Sequence, residues 1–435
     1  MSLVNKVQRA GSRTRRRSGD LGPLRVALCA VFAVQGFSYA SWAVRVPAVK
    51  EQVNASAAAL GLALLGLSAG AVATMLLAGT LCRRFGSRQI TVASCVLLSV
   101  TVLLPPLAHS AVVLGLLLAV FGTAYGSLNV AMNTVAVDMV AALRRPVMPG
   151  FHAAWSFGGL AGAGLGGLLA PHLSPLRHLS LIALVCLLVS AVTGRTLLQH
   201  SIPLSPATTP ARSVPQSSLA PEVLPASTVL PTPTVLPAPT VPPAQAAGPA
   251  SAWRNAWQTG RVVGLFAVIA LCAAYGEGAV GDWGALHLRQ DLGASAGLAA
   301  TGYAAFALAE ATGRLSGTAL LERLGRTRVL ALGGLAAGAG MLLASFAPDV
   351  WLALAGFAVT GLGLANLFPV TIARAGLLAG SAGVALTSTL GYCGFLLGPP
   401  AIGFLASEFG LPTALTTISF LALLAATIAY VSRHR

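Results

Sequence analysis

The chain has 435 residues, of which 56% are hydrophobic and only 9% charged, and its formal net charge is +16. Soluble domains carry about 25% charged residues, so this balance excludes an ordinary soluble enzyme and points to a polytopic membrane protein. The positive charge raises nucleic acid as a partner, but its distribution along the chain removes that reading: membrane topology accounts for it.

Apolar runs fall near 24–45, 58–81, 90–108, 111–137, 151–170, 179–198, 262–285, 296–320, 328–347, 350–372, 382–406 and 412–431. Each approaches the roughly 20 residues needed to cross a hydrocarbon core of about 30 Å. None shows the two-residue alternation of barrel strands, so the expected fold is all-α integral membrane with twelve transmembrane helices. Residues 1–23 read as a basic N-terminal tail that includes the arm Arg13 to Arg17. If the N-terminus lies inside, only Arg45, Lys50, Arg177 and Arg289 of the 27 basic residues fall on the outer side. That asymmetry obeys the positive-inside rule, so the expected location is the cytoplasmic (plasma) membrane, multi-pass, with both termini cytoplasmic. The run from Leu24 exceeds the 7–15 residues of a signal-peptide core, and no A-x-A site follows it. The six cysteines sit in or beside the spans without C-x-x-C spacing and read as small packing residues; no metal or cofactor is expected.

Between the sixth and seventh runs, residues 201–250 hold 13 of the 26 prolines, with the echo TVLPTP, TVLPAP and TVPPAQ. Proline at that density favours extended chain, so residues 199–260 are expected to form a Pro-rich cytoplasmic linker. It divides an N-terminal six-helix half, 24–198, from a C-terminal half with a short tail, 261–435. The halves echo each other at an offset of 239: Asn54-Ala-Ser56 with Gly293-Ala-Ser295, Phe85-Gly86 with Leu324-Gly325, Gly122 with Gly361, Gly159 with Gly398, and Gly164 with Gly403. Six spans repeated in one orientation make two parallel pseudo-repeats, an architecture that places a solute site near the midplane between them.

The loop GTLCRRFGSRQI after the second span gives Gly79, Arg84, Gly86 and Arg88, and its second copy gives Glu322 and Arg323 ahead of Gly325. With twelve spans and a central linker, this resembles the major facilitator superfamily of secondary transporters, in which such loops latch cytoplasmic helix ends. Arg83 occupies the position that the family fills with an acid, so the resemblance implies a weakened latch in the first copy. SWAVRVPA (41–48), LNVAMN (128–133), FHAAWSFGG (151–159), YGEGAVGDW (275–283) and GLGLANLFP (361–369) resemble a bacterial branch related to fucose-proton symporters. The resemblance implies an acid at this position of the fourth helix, where in the fucose symporters a carboxylate takes part in proton coupling; here it is Asn129, which does not titrate, so any coupling must use another acid or be absent.

Glu277 and Asp282 lie inside an otherwise lipid-soluble run, where a charge costs roughly 2.5–3.5 kcal/mol on insertion scales. Five residues apart, they stand about 140° apart on a helix and are not expected to share a face. Glu277, mid-span, suits proton carriage or the gripping of a polyol or cation; a carboxyl satisfied by a neighbouring helix is the rival reading. Asp282 is expected at an outer gate, with Arg45 as its partner, although Arg45 at a span end also suits snorkelling to headgroups. Glu310 and Arg314 form an i,i+4 pair, which explains both before any coupling role does. Asn129 and Asn133 share one helix face and either bond another helix or bind sugar-like hydroxyls, and Asn366 and Tyr275 are similar candidates. Trp42 and Trp283 offer stacking surfaces, against interfacial anchoring. His152 reads as a local hydrogen-bonding group.

GLSAG (66–70) and GAGLGG (162–167) match enzyme motifs but sit in glycine-rich helices, and no G-x-x-x-x-G-K-[ST] is present, so no enzyme is expected. The expectation is a secondary active transporter of a small solute by alternating access, proton-coupled and sugar-like or polyol in substrate, acting as a monomer in the lipid bilayer. A drug or metabolite exporter is the alternative within transport, and a membrane sensor or scaffold recruiting a partner through the linker is the alternative outside it. A polyol predicts hydroxyl-matching polar groups in the central cavity; a multidrug exporter predicts an aromatic, largely apolar one.

Overall fold

The computed structural model describes residues 21–55, 57–169, 172–200, 249–294 and 296–434, which are nearly all helical and contain no strand. The arm Arg13 to Arg17, Ser56, Ser295 and nearly all of the Pro-rich segment lie outside the described residues. The first half comprises α1 (Leu21–Ala43), α2 (Ala57–Phe85), α3 (Ser87–Thr101), α4 (Ala111–Leu143), α5 (Met148–Leu169) and α6 (Pro175–Gln199). The second comprises α7 (Pro249–Gln290), α8 (Ala296–Leu324), α9 (Arg326–Ser345), α10 (Val350–Leu364), α11 (Leu367–Phe409) and α12 (Leu411–Val431). α7 begins at Pro249, inside the segment expected to be linker. α11 is broken at Ala379 and Gly380, whose φ angles are −133° and 57°. Residues 367–378 therefore continue α10 as the tenth span and 381–409 form the eleventh, which completes twelve.

Nine stretches of the described residues are long and apolar enough to cross a membrane, one of them, Val350–Phe409, covering two passes. α5 and α8 are not among them. Both line the central cavity, to which α5 contributes His152 and Trp155 and α8 contributes Glu310 and Arg314, polar groups that lower the hydropathy of these helices.

The repeat survives in backbone detail. Asn54 and Gly293 both take left-handed φ, 48° and 66°, at equivalent turns. Ser110 and Asp349, also 239 apart, both cap a helix N-terminus: Ser110 accepts from the amide of Val113, and Asp349 from those of Trp351 and Leu352. Gly122 packs so tightly that a Cβ there would lie 2.0 Å from the Leu67 carbonyl oxygen, and Gly361 would meet the Phe306 oxygen at 2.4 Å. Leu67 and Phe306 are themselves one repeat apart, so the same backbone contact fixes α4 on α2 and α10 on α8.

Each half buries its own apolar core, and α11 joins the two, sending Ile372, Val384 and Ala385 into the first. The halves meet closely on the side that carries the chain ends. There Arg145 Nε donates to Glu322 Oε1 at 2.8 Å, Thr318 Oγ1 donates to the Pro146 carbonyl at 3.1 Å, and Ser381 Oγ donates to the Gly79 carbonyl at 3.0 Å.

Candidate functional site

Between the halves lies a cavity of about 320 Å³. α1, α2, α4 and α5 contribute Phe32, Gln35, Tyr39, Leu67, Ser68, Tyr125, Asn129, Met132, His152 and Trp155. α7, α8 and α11 contribute Glu277, Gly278, Gly281, Asp282, Tyr303, Phe306, Glu310, Arg314, Phe368, Tyr392 and Phe395. The polar groups divide by half. Apart from His152, the N-terminal half supplies uncharged amides and hydroxyls, whereas the C-terminal half supplies all three carboxylates and the guanidinium.

Arg314 organises the charged wall. Its Nη2 donates to Glu277 Oε1 at 2.9 Å and to Glu310 Oε1 at 2.7 Å, its Nη1 to Ser156 Oγ at 2.7 Å, and its Nε to the Ala365 carbonyl at 3.3 Å. The Trp155 ring centroid lies 6.0 Å from its CZ carbon. The Arg314 side chain is 3% exposed, Glu310 10% and Glu277 13%, so the ionic hydrogen bonds work in a desolvated site where they are strong. The i,i+4 reading of Glu310 and Arg314 is met, and Glu277 joins that pair from α7.

On the opposite wall the amides are held from behind. Gln35 Nε2 donates to the Tyr125 carbonyl at 3.1 Å, and Asn133 Nδ2 donates to the Asn129 carbonyl at 2.8 Å. That bond fixes the Asn133 amide, so His152 Nε2, 3.3 Å from Asn133 Oδ1, must be the donor. His152 thus has the local hydrogen-bonding role its sequence position suggested. Gln35 Oε1 and Asn129 Oδ1 are buried and have no hydrogen-bond partner among the described residues. Such oxygens are costly unless a ligand supplies donors.

Several expectations are corrected by packing. Glu277 and Asp282 do line one cavity, because α7 borders it over an arc wide enough to include Gly278 and Gly281 between them. Arg45 and Asp282 form no ion pair: Arg45 Nε donates to His178 Nδ1 at 2.8 Å while Asp282 stands exposed at the cavity. Trp42 is 2% exposed within the N-terminal core, and Trp283 packs toward Gly403; neither stacks in the cavity. Stacking surfaces come instead from Trp155, Tyr39, Tyr125 and Tyr392, the last three in a chain with ring centroids 5.7 and 6.0 Å apart. Tyr275 is committed to Thr417 Oγ1 at 2.9 Å, and Asn366 to the Gly313 carbonyl at 2.9 Å, where it braces α8 from the break between α10 and α11. Asn133 stands behind the cavity wall.

The loop residues sit at the termini side. Gly79 touches Ser381, Arg84 lies over the Phe85 ring at 5.2 Å, Gly86 starts α3, and Arg88 Nη1 reaches the carbonyls of Leu197 and His200. Arg83, in place of the acid, bonds only locally to Thr80 Oγ1 at 3.0 Å. The second copy keeps its acid, and Glu322 crosses to Arg145 of the first half; Arg323 is exposed. Gln35, a lone glutamine inside the first apolar run, and Trp155 and Ser156, which fall within FHAAWSFGG (151–159), are site residues that the sequence reading does not single out.

Twelve helices in two parallel pseudo-repeats around a central polar cavity define a multi-pass membrane transporter of small solutes, not an enzyme. The chain belongs to the Major Facilitator Superfamily, whose model matches residues 26–284 and 266–435. It is 29% identical over 402 residues to an uncharacterised transporter of this type from Yersinia pestis, covering 92% of this chain and 93% of that one. It is 30% identical over 412 residues to an uncharacterised transporter of Sinorhizobium fredii, covering 94% and 97%. Among solved structures, the superfamily transporter FucP in its outward conformation superposes with a TM-score of 0.72 at 15% identity, covering 95% of this chain and 99% of that one, a likeness of fold.

Proposed function

We propose that this protein is a proton-coupled transporter of a small neutral polyhydroxylated solute, working by alternating access in the plasma membrane as a monomer with both termini cytoplasmic. The observation that carries the reading is the trio of Glu277 with the buried Arg314 and Glu310. Fully ionised, two carboxylates on one guanidinium leave a net negative charge in a desolvated site, and one bound proton neutralises it. The trio therefore has a physical reason to take up a single proton, and it supplies the titratable acid that Asn129 does not.

The solute class follows from the facing wall. The amides of Gln35 and Asn129 and the hydroxyls of Ser68, Tyr39 and Tyr125 suit a polyhydroxylated solute, and Trp155 and the tyrosines match the C–H faces of a ring. Three carboxylates against one guanidinium disfavour an organic anion. The phenylalanines Phe32, Phe306, Phe368 and Phe395 are the feature that favours a drug exporter instead.

The test is uptake into proteoliposomes under an imposed acid-outside gradient, with a panel of labelled sugars, polyols, carboxylates and lipophilic cations. Gradient-dependent accumulation of a polyol or sugar, lost in Glu277→Gln, is the expected result. Movement of cations alone would replace this reading with the exporter. No movement of any, with a cellular phenotype that follows deletion of residues 201–248, would favour the scaffold.

A further inference from the structure

Three of the side-chain hydrogen bonds that cross between the halves lie at the termini side. Another closes the cavity floor, one helical turn beyond Glu310 on α8: Arg314 Nη1 to Ser156 Oγ, 2.7 Å. The Ser156 hydroxyl donates its own proton to the His152 carbonyl at 3.2 Å, so only its lone pairs face the guanidinium. Arg314 is therefore bonded at once to both carboxylates of its own half and to one neutral acceptor of the other.

We propose that Ser156 is a positioning residue that transmits the protonation state of the Glu277 and Glu310 pair to the N-terminal half, an inference that rests on the proton-coupled reading above. With both acids ionised, Nη2 is held between two anions and Nη1 is aimed at Ser156, which ties α8 to α5 and keeps the termini side shut. A proton from solution forms an O–H bond on one carboxylate and removes one charged acceptor. The guanidinium turns to the remaining anion, Nη1 leaves Ser156, and the floor contact is lost. The titratable groups facing Arg314 are Glu310 and Tyr303 on its own helix, Glu277 on α7 and His152 on α5. His152 is buried beside the Arg314 guanidinium, where a second positive charge is opposed, which leaves the carboxylates as the groups that change charge.

Amide hydrogen exchange on the purified full chain, corrected for intrinsic rates, tests this at residues 146–152 and 318–324, which separate when the termini side opens. In the parent, exchange there is expected to rise about tenfold between about pH 8 and about pH 5. Ser156→Ala and Ser156→Val are expected to exchange fast at both values, and Ser156→Thr, which keeps the hydroxyl, to follow the parent. The Val and Thr pair share one shape, so a folding defect in the Ala variant does not decide the matter. A parent-like pH response in Ser156→Val, abolished by Glu310→Gln, would overturn the role of Ser156 and leave proton coupling standing. A parent with no response would overturn both.

Discussion

Glu277 and Glu310 accept hydrogen bonds from one and the same nitrogen, Nη2 of Arg314, although they stand on different helices. Three charges, two of them buried, thereby clamp α7 to α8 beside the cavity. Replacing Arg314 by Leu leaves the two carboxylates without a counter-charge, and breaking a buried pair costs about 3–5 kcal/mol. The variant should melt well below the parent in detergent, and adding Glu277→Gln and Glu310→Gln should recover much of the loss. An unchanged melting temperature for Arg314→Leu would show that the clamp contributes nothing.

Either carboxylate alone, when ionised, balances the charge of Arg314 with no proton bound. Glu277→Gln and Glu310→Gln should therefore each remove the proton requirement: solute exchange without a gradient persists, while accumulation driven by pH disappears. Counterflow and gradient-driven uptake, measured side by side, separate these two activities, and retained accumulation in both variants would refute the trio as the coupling site.

Gly122 and Gly361 should respond alike to substitution. A methyl at either position collides with the carbonyl oxygen of a repeat-equivalent residue, Leu67 or Phe306, at 2.0 and 2.4 Å, so the helices must part. Overpacking of this kind costs about 1–3 kcal/mol, and Gly122→Ala and Gly361→Ala should each lower the melting temperature by a similar amount. A large loss in one and none in the other would contradict equivalent packing of the two halves.

The Arg145 to Glu322 bridge is exposed, and its hydrogen bond holds the Glu322 carboxyl below the usual carboxylate range. A depressed acid contributes stability above its unfolded pKa and loses it as pH falls through the folded one, so this window lies below about pH 4.3. Glu322→Gln should thus leave the shape of the transport profile between about pH 5 and pH 8 unaltered. A shifted profile in that range would assign the pH response to the latch and not to the cavity.

Much of this molecule was legible before folding. Hydropathy placed the spans, the offset of 239 placed the repeat that Asn54 and Gly293 then confirm in their backbone, and helical spacing alone paired Glu310 with Arg314. Such features are local or periodic, so a one-dimensional pattern carries them. The rotation of each helix about its own axis is not carried in that way, because lipid tails are as apolar as a protein core and a leucine facing either looks the same in sequence. Close backbone approaches decide it instead: Gly36 lies so near the Trp155 carbonyl that a Cβ there would come within 2.1 Å, and that contact seats α5 on α1. With α5 seated there, Trp155 lines the cavity and Ser156 reaches Arg314, while Trp42 is buried in the core and Arg45 pairs with His178 in place of Asp282. Sequence determined that a carboxylate had to be sheltered in the seventh span; only the packing of helices against one another decided which arginine shelters it and which serine of the other half shares that arginine.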